Sequence, residues 1–258
     1  MGSPVDRVQR WFVFALAAAL AACGGGAASS GGGGSTTVLP PSVAQPYAAR
    51  TLVVPDLVPL KAINTYPGAI DGEDNLFSPT FGNYPGGGHG KVVDGIVPCL
   101  PAMSNDYHIH FFLGIVDRGK LIAMPHAVGM VDPGAQVNGW TDSAKCFYEI
   151  HTHDSSGIVH LEVAKVMPLN AVYYHLRDVL DVWGVPYSKD SLGPFRGPVH
   201  VFIGNRSYLG QTTISSYVPY TKEASSIGLK SHEVIWIELG DRYFSASQLP
   251  PVTFYMEY

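Results

Sequence analysis

Between Glu149 and Glu162 the chain places three histidines within ten positions, as Glu149-Ile150-His151-Thr152-His153-Asp154-Ser155-Ser156-Gly157-Ile158-Val159-His160-Leu161-Glu162. Imidazole nitrogen suits Zn²⁺ and Cu²⁺, and a His-x-His pair on a strand projects both rings to one face. Asp-Ser-Ser-Gly is turn chemistry, and its flanks alternate like half-buried strands, which predicts a β-hairpin. If Asp154 pairs with Gly157, then His153 faces Ile158, His151 faces His160 and Glu149 faces Glu162. Directly opposed residues share a face. Glu149, His151, His153, His160 and Glu162 would therefore gather on one side with Ile158, and Tyr148, Ile150, Val159, Leu161 and Val163 on the other with Thr152. A one-residue slip would instead turn His151 and His153 into the core.

A second pair lies upstream in Asp106-Tyr107-His108-Ile109-His110-Phe111-Phe112-Leu113. His108 and His110 share one face, with Tyr107, Ile109, Phe111 and Leu113 on the other. Asp117-Arg118-Gly119-Lys120 reads as a turn into Leu121-Ile122-Ala123-Met124, a second hairpin. A lone His-x-His is more often an ordinary half-exposed strand than a ligand pair. Two pairs and a cross-strand His favour metal, provided that the hairpins adjoin in space. The candidate ligands are His108, His110, His151, His153 and His160, of which three or four would complete a tetrahedral Zn²⁺ or tetragonal Cu²⁺ shell. Glu149, Glu162 and Asp154 are expected behind them, the glutamates holding imidazole N–H groups or standing as solvated strand ends in preference to ligating the metal themselves. Asp154 also has the chemistry of a turn residue bonding its own backbone. His89, in the loop Tyr84-Pro85-Gly86-Gly87-Gly88-His89-Gly90, is expected to be solvated.

The N-terminus bears on location. Arg7 and Arg10 precede an apolar run from Trp11 to Ala22, too short to span a bilayer and closed by small residues, the pattern of a signal peptide over residues 1–22. Leu20-Ala21-Ala22-Cys23 resembles the lipobox of bacterial lipoproteins, which implies lipidation of Cys23 and attachment to the cell envelope. Gly24 after it resembles the outer-membrane sorting pattern of Gram-negative cells. Residues 23–46, rich in Gly, Ser and Pro, read as a flexible tether, and residues 47–258 as one globular domain. An ordinary cleaved signal with soluble export is the competing reading.

Without Asp6, Arg7 and Arg10, the 16 basic and 21 acidic residues fall to 14 and 20, a net charge of −6 with no basic cluster. That balance argues against nucleic acid as a partner. No other stretch is apolar for long enough to cross a bilayer as a helix, so attachment would rest on the lipid. With Cys23 assigned to lipid, Cys99 and Cys146 remain as a pair for an oxidising compartment, tying one His hairpin to the other. The alternative makes either one a thiolate ligand, as in blue-copper sites.

Few charged residues and abundant Gly, Pro and Tyr suit a turn-rich β protein. One helix is expected from Asn170 as N-cap to Gly184 as stop, with Leu176, Val179, Leu180 and Trp183 as its core stripe and His175 off it. Val199–Ile203, Gly204-Asn205 and Arg206–Leu209 read as another hairpin, and Glu233–Leu239 and Val252–Tyr255 as closing strands. The predicted fold is a mainly antiparallel β domain, sandwich-like or a small barrel, with one packed helix.

Cys99, His108/His110, Cys146, the His-Thr-His-Asp hairpin with Gly157, Ile158 and His160, and the Leu180-Asp181-Val182-Trp183-Gly184 helix end together resemble a pattern of uncharacterised exported bacterial proteins. The resemblance covers the middle third of the ordered chain and implies no activity or ligand. Copper-zinc superoxide dismutases share a His-x-His strand and a disulfide but place further histidines soon after that strand. Multicopper oxidases and cupins match only at the His-x-His itself, and analogy of fold carries no function. Three readings remain at this level. The first is an envelope protein binding Cu or Zn, and the second a metal-dependent oxidoreductase or hydrolase with an open metal position. The third is a surface module binding a non-metal ligand or serving structure. No Gly-x-Ser-x-Gly elbow and no phosphate-binding glycine loop is present.

Overall fold

Alternation of apolar residues along three strands builds the centre of the molecule. A computed structural model describes residues 57–65, 86–168 and 171–255. The signal segment, Cys23, the tether and the domain start near Tyr47 lie outside the described residues, as does Asn170. The first strands are β1 (Ile63–Thr65), β2 (Cys99–Leu100), β3 (Tyr107–Asp117), β4 (Lys120–Ile122) and β5 (Met130–Val131). They are followed by β6 (Cys146–Tyr148), β7 (Ile150–His151), β8 (Ile158–Val163) and helix α1 (Leu176–Trp183). Next come β9 (Tyr187–Ser188), β10 (Ser191–Leu192), β11 (Phe195–Arg196), β12 (Val199–Gly204) and β13 (Thr213–Ile214). The last are β14 (Val218–Pro219), β15 (Val234–Leu239) and β16 (Val252–Phe254).

The main sheet runs β14-β12-β15-β3-β8-β7, with β4 folded back on β3. On one face Ile109, Phe111, Leu113, Ile115, Val159, Leu161, Ile235 and Ile237 pack against Leu176, Val179, Leu180 and Trp183 of α1. On the other, Phe112, Val116, Ile158, Phe202, Val234 and Trp236 meet Ile63, Val252 and Phe254 of the small β1-β16-β13 sheet. Apolar residues of odd and even number in β3 thus feed two different cores, as strand alternation requires. The domain is mainly β and sandwich-like with one α-helix, and no closed barrel forms among the described residues.

Both expected His hairpins form in the anticipated register: Asp117 pairs with Lys120 across the first, and His151 with His160 across the second. The second is wider than a four-residue turn. After His151 the chain peels away, and Thr152 N–H donates to Val128 O (2.9 Å) instead of continuing the ladder toward Ile158.

Two expectations need correction. The helix begins five residues later than an Asn170 cap would put it: His175 is the N-cap, and its N–H donates to the Asp178 carboxylate at 2.7 Å. Tyr174 is buried ahead of the helix with its hydroxyl on Glu149, a tertiary contact that overrides local helix preference. Arg206–Leu209 is not a strand; Tyr208 and Leu209 are exposed, and β12 finds its partners in β15 and the later β14. Both strands expected to close the chain form, as β15 and β16, and β15 lies inside the main sheet, running parallel to β3 and antiparallel to β12. A parallel pair needs a long crossover, and the chain between β3 and β15 provides it.

The Cys99–Cys146 disulfide is present, with Cα atoms 5.5 Å apart, and joins β2 to β6 immediately before β7. No helix among the described residues is long and apolar enough to cross a membrane.

Candidate metal centre

Pairing of β8 with β3 decides where the histidines go. His108 lies opposite Glu162 and His110 opposite His160, while β7 on the other side of β8 sets His151 opposite His160. A row of His110, His160 and His151 therefore crosses three adjacent strands on one face, flanked by His108 and Glu162. These even-numbered positions of β3 and β8 are polar where the same face elsewhere carries Phe112, Val116 and Ile158. His110, His151, His153, His160 and Glu162 are buried, and only His108, at 17 % side-chain exposure, reaches the surface.

His153 arrives from the segment that leaves β7, and the loop before β6 holds that segment. Thr152 Oγ1 donates to Pro125 O and accepts from Val128 N–H, both at 3.0 Å, and Thr141 N–H donates to His153 O at 2.9 Å. The indole of Trp140 stacks on the His153 ring, with centroids 4.2 Å apart and planes within 4°. Asp154 accepts from Ser156 N–H and Ser156 Oγ at 3.1 and 2.6 Å, which fixes the turn.

Distances within the cluster are short. His151 Nε2 and His153 Nε2 are 3.2 Å apart, and His160 Nδ1 lies 3.2 Å from His108 Nε2 and 3.1 Å from His110 Nε2. Glu162 Oε1 is 3.3, 3.7 and 3.5 Å from His108 Nε2, His151 Nε2 and His160 Nδ1. Two overlapping sets result: His151, His153, His160 and Glu162, and His108, His110 and His160, with the donor atoms of each set within 4.8 Å of one another. Either set could hold a metal ion. Donors about 2.0–2.1 Å from a tetrahedral Zn²⁺ lie about 3.3 Å from each other, close to the spacing seen here.

The outer nitrogens of two candidate ligands are already engaged. His151 Nδ1 is 2.8 Å from Tyr148 O and His153 Nδ1 is 2.5 Å from Thr141 O. A carbonyl only accepts, so both rings carry their proton on Nδ1 and turn an Nε2 lone pair inward. Burial lowers the pKa of all five rings. It takes His110 to about 3, reinforced by neighbouring imidazoles, and His153 to about 4, the Thr141 carbonyl opposing the fall. His151 and His160 also lie well below the ordinary range through burial, as does His108 to a lesser degree. Burial pushes Glu162 up to about 7, and its Oε2 has no hydrogen-bond partner among the described residues.

The five expected histidines are thus brought together, and Glu162, expected behind them, stands among the donor atoms. Glu149 is engaged elsewhere. Its backbone carbonyl still pairs with Glu162 N–H, but Oε1 accepts from Ala164 N–H (3.1 Å) and Oε2 from Tyr174 Oη (2.5 Å). The strand breaks at Glu149, between β6 and β7, and its carboxylate supports the helix side of the sheet. His89 is exposed in its glycine-rich turn.

Sequence reasoning missed four contributors. The Tyr148 and Thr141 carbonyls have no side-chain signature, since a backbone acceptor is the same in every residue, and no spacing ties the Trp140 indole to His153. His232 is buried beside the cluster: its N–H donates to His110 O at 2.7 Å, and its Nδ1 lies 2.8 Å from Ser231 Oγ and 3.3 Å from Arg206 Nη1. A lone histidine offered no spacing to notice. Comparison with protein-family profiles, with curated proteins and with solved structures finds no match to this chain.

Proposed function

We propose that this protein is a lipid-anchored envelope protein that holds a transition-metal ion, Cu²⁺ or Zn²⁺, in the cluster of His108, His110, His151, His153, His160 and Glu162. One observation carries the reading. His151 and His153 direct two inward Nε2 atoms at each other across 3.2 Å while both Nδ1 protons are committed to carbonyls. Two lone pairs at that distance repel unless a cation lies between them. A shared proton would place positive charge on buried rings, against the desolvation that keeps His153 neutral down to about 4. A metal ion meets the same demand with neutral imidazoles, which are the ligating form.

The donor chemistry supports Zn²⁺ or Cu²⁺: imidazole nitrogens with one carboxylate oxygen, the cysteines being committed to a disulfide. Three nitrogens and one oxygen in the buried set fill a tetrahedral shell, whereas a catalytic centre keeps a position for water. Binding is therefore favoured over hydrolysis or oxidation. Export and lipid attachment at Cys23 rest on the leader sequence and agree with a disulfide, which persists in oxidising compartments.

The test is metal content by mass spectrometry of the full chain, before and after equilibration with Cu²⁺ or Zn²⁺, for wild type and the His151→Ala/His153→Ala variant. Stoichiometric metal in wild type, lost in the folded variant, is expected; only trace metal in folded wild type would refute the reading. For the anchor, incorporation of labelled palmitate that disappears in Cys23→Ser is expected, and equal labelling of both would refute it.

A further inference from the structure

Six donor atoms stand where one tetrahedral ion takes four, and they are not equally exposed. We propose that the cluster is a one-ion centre with two positions. His108 and His110 receive the ion from solvent and pass it across His160 to the buried His151, His153 and Glu162. This rests on the metal-binding reading above and adds to it a route and a stoichiometry.

The geometry separates the two sets. His108, His110 and His160 form the outer one, with His108 the only partly exposed donor at 17 %; His151, His153, His160 and Glu162 form the inner one, wholly buried. Both sets share His160. Its Nδ1 is 3.2 and 3.1 Å from His108 Nε2 and His110 Nε2, and 3.5 Å from Glu162 Oε1. A single nitrogen lone pair serves one cation at a time. An ion at the outer position takes the Nδ1 lone pair of His160, and a second divalent cation in the adjoining buried set, with Glu162 the one carboxylate of the two sets, would be repelled, so the two positions are filled in succession rather than together. Glu162 Oε1 reaches both sides, 3.3 Å from His108 Nε2 and 3.7 Å from His151 Nε2, so a carboxylate stays near the ion throughout.

The step is a ligand exchange. Bonds to His151, His153 and Glu162 form as those to His108 and His110 break, His160 is retained, and the metal charge does not change. The inner position is the final one because its rings are fixed: Tyr148 O and Thr141 O hold His151 and His153 by their outer nitrogens, and Trp140 covers the His153 ring. A ligand that lies on the path but not in the final shell affects both rates of exchange and leaves the equilibrium nearly untouched.

Trp140, stacked on His153, is a built-in reporter, because Cu²⁺ bound at His153 would quench its fluorescence. The experiment mixes the full chain with Cu²⁺ alone in a stopped-flow instrument. Cu²⁺ absorbance and tryptophan fluorescence are followed for wild type, His108→Gln, His108→Asn and a Trp140→Phe control, and affinity is measured separately against a competing chelator. Expected for wild type are one Cu²⁺ per chain and a fast absorbance change, followed by slower quenching that Trp140→Phe removes. In the His108 variants, both uptake and release should slow by about tenfold while Kd changes less than about threefold. Circular dichroism and an intact disulfide establish that these variants are folded.

Two Cu²⁺ per wild-type chain, unchanged rates in both folded His108 variants, or a tenfold loss of affinity at unchanged uptake rate would each overturn the two-position scheme while leaving metal binding in place. Failure of folded wild type to bind Cu²⁺ would overturn the metal reading itself.

Discussion

Acidification separates this buried cluster from a solvated one, and the size of the effect follows from which groups still hold protons. In three exposed imidazoles of ordinary pKa, protons compete with metal at every ligand, and lowering the pH from 7 to 5 weakens binding by about four orders of magnitude. Here folding has already removed those protons: His110 titrates near 3, His153 near 4, and His151 and His160 lie well below the usual range. Glu162 is the exception. Burial holds its folded-state pKa at about 7, so a proton must leave the carboxyl before it can ligate. One group with that pKa costs about 50-fold in affinity between pH 7 and pH 5, and the imidazoles add little. The assay is a chelator-competition titration with Zn²⁺ at several pH values, corrected for protonation of the chelator. Glu162→Gln should bind more weakly at pH 7 and lose most of the remaining pH dependence. A wild-type loss of about four orders of magnitude over this range would show that the rings bind as solvated histidines, and would refute the neutral buried cluster.

Metal-free stability should be greatest near neutrality, because the buried groups pull in opposite directions. Stability from the depressed histidines is present above the unfolded value of 6.5 and lost as pH falls through 3–4; that from Glu162, Glu233 and Glu238 is present below 4.5 and lost as pH rises through about 7–8. Denaturant titrations from pH 4 to pH 9 should show a maximum between about pH 6 and 7, and a monotonic profile would contradict this balance. Reducing Cys99–Cys146, which closes a loop with a sequence separation of 47, should cost about 4 kcal/mol on the chain-entropy model, read as a lower denaturant midpoint; no change would mean that the loop is constrained without it. Gly184→Ala should destabilise by about 2 kcal/mol or more, because Gly184 caps the helix at φ +74 and an added Cβ would meet the backbone N of Gly87 at 1.9 Å. A thermal midpoint within a degree of wild type would refute that contact.

The sequence by itself carried whatever depends on local period and residue type. Strand alternation set Tyr107, Ile109 and Phe111 against His108 and His110, and turn residues fixed the pairing of His151 with His160. The helix stripe of Leu176, Val179, Leu180 and Trp183 and the pairing of the two cysteines left after Cys23 were legible in the same way. Tertiary structure alone decided which strand lies beside which. His110 and His160 meet because β8 pairs with β3 some fifty positions away, and nothing local encodes that choice. It also decided the anchors: carbonyls of Tyr148 and Thr141 orient two rings, and every residue has a carbonyl. Glu149 and Glu162 look equivalent in a hairpin diagram. A break in the strand and the burial of Tyr174 send the first to the helix side, and unbroken pairing leaves the second among the imidazoles. Backbone periodicity fixes a residue's face, and long-range packing, which has no period, fixes what that face meets.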